Sequence, residues 1–206
     1  RKDPAKRFET GEAMAAVLGL DAGAVRDACA ELSAKSSEVV EAVNFNDPKQ
    51  IVIAGTKAGV EMACELLKAR GAKRALPLAV SAPFHSSLMK PAAERLKTRL
   101  AVTPFAEPRI PVINNVDVEI NTDPQAIRDA LYRQAFWPVR WVELVHSLHL
   151  HGVARVMECG PGKVLAGMVK RIDPEIAVAN VFDPASLAAA AQGVVDQLRA
   201  LDVAGR

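Results

Sequence analysis

The sequence predicts a mixed α/β protein, a ferredoxin-like small domain followed by part of a larger α/β layer. Three observations carry this expectation. From Ala13 to Val80 the elements read β-α-β-β-α-β, the split arrangement that closes into one small sheet backed by two helices. From Val153 onward strands alternate with helices, the pattern of a mostly parallel sheet. Half of the 206 residues are apolar and about a quarter are charged, a globular balance able to bury a core without metals or disulfides. The expected organisation is an irregular segment over 1–12, the small domain over 13–80, and the C-terminal part of a large domain over 81–206.

Each element has its own signal. Met14 to Leu18 is a short apolar strand, and Gly19-Leu20-Asp21 is a turn with Asp21 placed as an N-cap. Val25, Cys29 and Leu32 recur at helical spacing from Ala22 to Lys35. Val39 to Phe45 reads as a strand, Asn46-Asp47-Pro48-Lys49 as a turn, and the β-branched run Gln50 to Ala54 as the next strand. Gly55-Thr56 opens a helix to Ala69 with Val60, Cys64 and Leu67 on one face, and Gly71 is placed to end it. Arg74 to Val80 supplies the fourth strand. Beyond it, Leu88 to Val102 reads as a helix with Ser86 or Ser87 as its N-cap, and Pro104 to Pro108 as a linker. Ile110 to Asn114 and Val116 to Ile120 read as short strands. Asp123-Pro124 is a strong helix start, and Val139 to Leu150 reads as a further helix. Strands over Val153–Met157 and Ala177–Phe182 then alternate with helices over Lys163–Ile172 and Pro184–Leu201.

Several function classes are disfavoured. A net charge of +2 without a Lys/Arg run does not suit nucleic acid, and the sheet strands lack the paired aromatics of an RNA-binding surface. No apolar run is long enough to span a bilayer, so no membrane partner is expected. The three cysteines, Cys29, Cys64 and Cys159, form no CxxC pair. Neither a zinc site nor a redox pair is expected, and the scattered thiols suit a reducing cytoplasm.

The chemistry concentrates in Ser81-Ala82-Pro83-Phe84-His85-Ser86-Ser87, where a strand end, a proline turn and a helix start place an imidazole at the rim of a sheet. His is the side chain suited to moving protons near neutral pH. None of the serines at 33, 36, 37, 81, 86, 87, 147 and 186 stands in the G-x-S-x-G elbow of an α/β nucleophile. Cys159 follows a strand at a helix start, but as a thiol nucleophile it lacks partner residues. Gly160-Pro161-Gly162-Lys163 departs from a phosphate loop at Met157 and Val164, and reads as a tight turn feeding a helix. His146 and His149 share a helical spacing, with Glu143 the one carboxylate near them in sequence, and read as a solvated face.

The segments GEAMAAVLGLD, AVNFNDPKQIVIAG, GAKRALPLAVSAPFHSSLMKPA, PVINNVDV, IRDALYRQ and ECGPGKVLAGMVKRI, in order from Gly11 to Ile172, resemble the C-terminal two-thirds of the bacterial malonyl-CoA:acyl-carrier-protein transacylases. The resemblance implies an α/β-hydrolase-like domain interrupted by a ferredoxin-like one, and transfer of malonyl from CoA to a phosphopantetheine thiol through a serine. It implies that His85 is the catalytic base and that the main-chain carbonyl of Gln134 orients its imidazole. It implies that Asn44, Asn46 and Gln50 lie near the CoA and phosphopantetheine path, and that Lys73 and Arg74 dock the acidic carrier protein. Malonyl-CoA and the carrier are the implied partners, with no metal and no resident cofactor. In the family the nucleophile elbow, the oxyanion hole and the arginine for the malonyl carboxylate lie upstream of the matching segments, so this chain alone is expected to be inactive. Two related readings are a malonyl-transferring subunit of malonate decarboxylase and a polyketide synthase acyltransferase. A third, of another class, is a non-catalytic module that binds the carrier.

Overall fold

A computed structural model describes residues 11–204. Nearly all of the irregular segment expected over 1–12 lies outside the described residues. The chain divides into two compact units between Leu144 and Val145, whereas the sequence reading places its boundary after Val80.

In the first unit, β1 (Glu12–Leu18), α1 (Ala22–Lys35), β2 (Val40–Asp47), β3 (Gln50–Thr56), α2 (Lys57–Ala69) and β4 (Arg74–Pro77) follow the expected order. The strands form one antiparallel sheet in the order β2-β3-β1-β4, the ferredoxin-like arrangement. Strand alternation divides its apolar residues between two faces. Ala15, Val17, Phe45, Ile51 and Ile53 pack with Val25, Leu32, Val60 and Leu67 of the helices. Met14, Val43, Val52 and Ala54 form a second cluster on the other face. Ile51, Ile53, Val17 and Leu67 are fully buried, each stabilising the fold by about 1.5–3 kcal/mol.

The element ends follow from local chemistry. Asp21 accepts from Ala24 N at 2.9 Å and starts α1. Thr56 caps α2 by accepting from Gly59 N at 3.2 Å. Gly71 has φ +97°, and Gly71 N and Ala72 N donate to Lys68 O at 3.0 Å and Leu67 O at 2.9 Å. This is a Schellman end, which needs a left-handed residue. Gly55 marks the close approach of β2 and β3, since a Cβ there would lie 1.9 Å from Val39 O.

Three expectations change. The strand expected over Arg74–Val80 ends at Pro77. Leu78 N still donates to Met14 O at 2.9 Å, but Val80 N turns back to Leu78 O at 2.9 Å, a three-residue turn that lifts the chain off the sheet. The two strands expected over 110–120 reduce to one bridge, Ile113 with Ile120. There Asn114 Oδ1 accepts from Val116 N at 3.1 Å and Asp117 N at 2.7 Å, so a side chain takes the donors a ladder needs. The helix expected from Leu88 begins as a 3₁₀ turn over Ser87–Met89, with α3 over Lys90–Val102. Neither serine caps it: Ser86 Oγ donates instead to Pro83 O at 2.6 Å.

The first unit also holds α4 (Pro124–Arg133), with Asp123 accepting from Gln125 N and Ala126 N at 3.1 Å. Next comes α5 (Trp141–Leu150). The second unit contains β5 (Arg155–Cys159), α6 (Val164–Ile172), β6 (Ala177–Val181) and α7 (Pro184–Ala204). β5 and β6 form a parallel pair in register from Arg155–Ala177 to Cys159–Val181. Among the described residues, no helix is long and apolar enough to cross a membrane.

Candidate active site

His85 stands in the loop between β4 and the 3₁₀ turn with φ +64°, a left-handed conformation that His adopts more readily than most residues. The loop is fixed on both sides of it. Pro83 and Ser86 are fully buried, and Ser86 N and Oγ both bond Pro83 O. On the other side, Glu41 of β2 accepts from Ser87 N at 2.8 Å and from Ser87 Oγ at 2.6 Å. A carboxylate from the sheet therefore supplies the cap that no local side chain gives.

The half-buried imidazole meets α4 at its C-terminus. His85 Nδ1 lies 2.8 Å from the main-chain oxygen of Gln134. A carbonyl can only accept, so Nδ1 carries the proton and Nε2 holds the lone pair in the neutral ring. Gln134 is the C-cap of α4, at φ −62° and ψ −18°, and carbonyls at a helix end lack intrahelical partners. The same end carries the negative pole of the helix dipole, which favours a cation. The arrangement can hold one tautomer of a base and stabilise the imidazolium it becomes.

β2 also fixes the segment beyond Gln134. Phe45 N donates to Val139 O at 2.9 Å, and Val139 N donates to Val43 O at 2.8 Å. This short parallel bridge centres on Asn44. The helix expected from Val139 consequently starts at Trp141, because Val139 is extended.

The structure brings His85 and Gln134 together. The remaining candidates lie on the sheet or, for Lys73, just before it, and are not among the hydrogen-bond partners of that pair. Asn44 pairs with Val52 on β3, and Asn46 sits at a register shift between Phe45 and Asp47. Gln50 and Arg74 both pair with Leu18, from opposite sides, which puts them in one row roughly 10 Å apart. Lys73 precedes Arg74, and its N–H donates to Leu18 O at 2.8 Å. Both basic residues are exposed. Glu41, which holds the His85 loop, is missed by sequence reasoning, because its partner is 46 positions away.

Other candidates resolve into structural roles. Cys29 and Cys64 are buried, and Cys159 is exposed. Burial pushes the Cys29 thiol up to about 12 and raises that of Cys64. The turn at Gly160–Lys163 feeds a helix start already occupied by an anion: Glu158 accepts from Ala166 N at 2.7 Å and Leu165 N at 3.2 Å. His149 meets carboxylates the sequence did not bring near it. Asp173 lies 2.8 Å from Nδ1 and Glu175 3.9 Å from Nε2, so the two approach different ring nitrogens. A cavity of about 1020 Å³ lies beside α1, α2 and the ends of β1 and β4, and none of the candidate site residues lines it.

A family model described as an acyl transferase domain matches residues 8–194. The malonyl CoA-acyl carrier protein transacylase of Escherichia coli K12 is 50% identical over 178 residues, covering 86% of this chain and 57% of that relative. The crystal structure of an acyl-carrier-protein S-malonyltransferase from Burkholderia pseudomallei 1710b superposes with a TM-score of 0.84 at 58% identity, covering 91% of this chain and 62% of that one. A malonyl-transacylase solved in complex with its type II polyketide synthase acyl-carrier protein gives a TM-score of 0.87 at 46% identity, covering 92% and 61%. The chain thus spans somewhat more than half the length of the relatives it matches.

Proposed function

Since the chain belongs to the acyl transferase domain family, we propose that it carries the base half of a malonyl-CoA:acyl-carrier-protein transacylase site. The observation that supports this most directly is the 2.8 Å bond from His85 Nδ1 to the Gln134 main-chain oxygen. It leaves Nε2 free to accept a proton, in the manner of a serine–histidine pair with a carbonyl replacing the carboxylate.

Nε2 takes the proton of a serine hydroxyl supplied from outside these 206 residues as its oxygen attacks the malonyl thioester carbonyl. The C–S bond breaks, the imidazolium returns the proton to the CoA sulfur, and a malonyl ester remains on the serine. The phosphopantetheine thiol then gives its proton to Nε2 and attacks the ester. The serine oxygen leaves and recovers that proton. The Gln134 carbonyl and the α4 dipole stabilise the imidazolium formed in each half-reaction.

Asn44, Asn46 and Gln50 serve the CoA and phosphopantetheine path in this reading, and Lys73 and Arg74 receive the acidic carrier. The shared row of Gln50 and Arg74 supports a common approach for carrier and cofactor arm. The reaction needs no resident cofactor or metal, and we place it in the cytoplasm. The test is malonyl transfer to a carrier protein, by the chain alone and joined to a family segment that bears the serine. No transfer is expected from the chain alone. Transfer and a burst of CoA are expected from the joined protein, with loss of several orders of magnitude in His85→Asn. An undiminished CoA burst in that variant would refute the role of His85.

A further inference from the structure

Among the described residues, two that are not glycine have positive φ: His85 at 64° and Val118 at 62°. For a β-branched residue this conformation is a true outlier, and such outliers persist where their surroundings over-determine them. The loop carrying Val118 is held in that way. Val118 N donates to Asn114 O at 3.2 Å, and Arg140 N donates to Asn115 O at 3.1 Å. Asn114 Nδ2 donates to Glu119 O at 2.9 Å, and Arg140 Nη1 to Asp117 O at 3.1 Å.

What this loop presents is Asp117. Its two carboxylate oxygens accept from Arg133 Nη1 at 2.5 Å and Nη2 at 2.8 Å, a two-point contact that fixes direction as well as distance. Both side chains are about three-quarters buried. Arg133 is the last residue of α4, and the next carbonyl is the one that holds His85. The two strained positions are therefore the ends of one path: Val118, Asp117, Arg133, Gln134, His85.

We propose that Asp117 is a positioning residue for the base: through its two-point grip on Arg133 it fixes the last turn of α4, so that the Gln134 carbonyl faces His85 Nδ1. The arginine's second partner, Asp129, is an exposed neighbour on the same helix. It cannot fix that helix against anything else. This inference rests on reading His85 as the base.

The test reads the His85 ring in the whole chain, with isotope-labelled histidine assigned by the loss of its signal in His85→Asn. Above the imidazole titration, the ring nitrogens report which of them carries the proton. The wild-type chain is expected to show the Nδ1–H form as the major tautomer. Asp117→Ala, and Arg133→Lys with its charge kept but its planar fork gone, are expected to lose that form toward a mixture of tautomers. Asp129→Ala is expected to match wild type. Unchanged His85 nitrogens in a folded Asp117→Ala chain would overturn the proposal, as would an equal change in Asp129→Ala. If Asp117→Ala does not fold, Arg133→Lys decides: a shifted tautomer supports the grip and an unshifted one overturns it. The signature does not depend on acyl transfer. A responsive tautomer in a protein whose transfer survives His85→Asn would sink the proposed function and leave the grip standing.

Discussion

Replacing Ala135 by proline tests the His85 contact at the atom that makes it. Gln134 has helical values, φ −62° and ψ −18°. A proline after it crowds its N–H and Cβ and drives it toward extended ψ, which turns its carbonyl away from His85. The same change strains the turn beyond α4, where Phe136 N and Trp137 N donate to Arg133 O at 3.1 and 2.9 Å, while the proline itself removes one long bond. Ala135 lies beyond the end of α4 at Arg133, and its N–H reaches Tyr132 O only at 3.4 Å. Losing a bond between neutral groups costs about 1 kcal/mol, roughly a fivefold fall in preference for the Nδ1–H tautomer. The bond to the imidazolium is worth about 1.5–3 kcal/mol, so a proton-transfer step that relies on it slows by about ten- to 150-fold. Gln134→Ala is the counterpart. It deletes the side chain and keeps the carbonyl, and its tautomer ratio is expected to stay within about twofold of wild type. The assay is the ring-nitrogen spectrum of His85, with a thermal melt to establish that each variant is folded. A folded Ala135→Pro chain with the wild-type tautomer would refute the reasoning. So would a Gln134→Ala chain as disturbed as the proline variant, since the contact would then depend on the side chain.

Two further outcomes follow from burial and charge. A thiol reagent at neutral pH is expected to label the folded chain once, at exposed Cys159, and all three cysteines after denaturation. Rapid labelling of Cys29, whose thiol burial pushes up to about 12, would show that the helix–sheet core opens readily. Stability is expected to fall on acidification. Hydrogen bonds from Lys35 and Arg70 hold Glu31 near 2, and Arg133 holds Asp117 below the usual carboxylate range. Both folded values are depressed, so their contribution is complete above about pH 4.5 and is lost as pH falls below it, for Glu31 toward about 2. Urea midpoints should drop across that window, and less so in Glu31→Gln; an identical drop in that variant would exclude Glu31 as a source.

The small sheet was readable because its signals are local. Asp21, Thr56 and Gly71 each act within a few residues of their own helix end, and the β-branched run Gln50 to Ala54 marks a strand by composition alone. His85 and Gln134 were legible through family resemblance, and the fold brings residues 49 positions apart within 2.8 Å. Glu41 and Asp117 were not legible. Each acts on a backbone or a guanidinium far along the chain, and an acidic residue in an amphipathic strand or polar loop looks like any solvated charge. The strands expected over 110–120 failed because Asn114 spends its side chain on the backbone donors they required. The strand expected as far as Val80 failed because Val80 N turns back to Leu78 O, a choice that apolar composition does not reveal.

The edge strand β2 touches both halves of the pair, with Glu41 on the segment after His85 and Val43 and Phe45 on the segment after Gln134. Measurement engineers mount two sensing elements on one bench so that vibration cancels from their difference. β2 is such a bench. A displacement of the sheet is transmitted through these bonds to both segments in the same direction, so it works less on their separation than a motion of one segment alone. Tolerance to motion is thereby uneven: sliding of the sheet is a common-mode disturbance, while twisting of α4 about its own axis is a differential one that reaches the base at once.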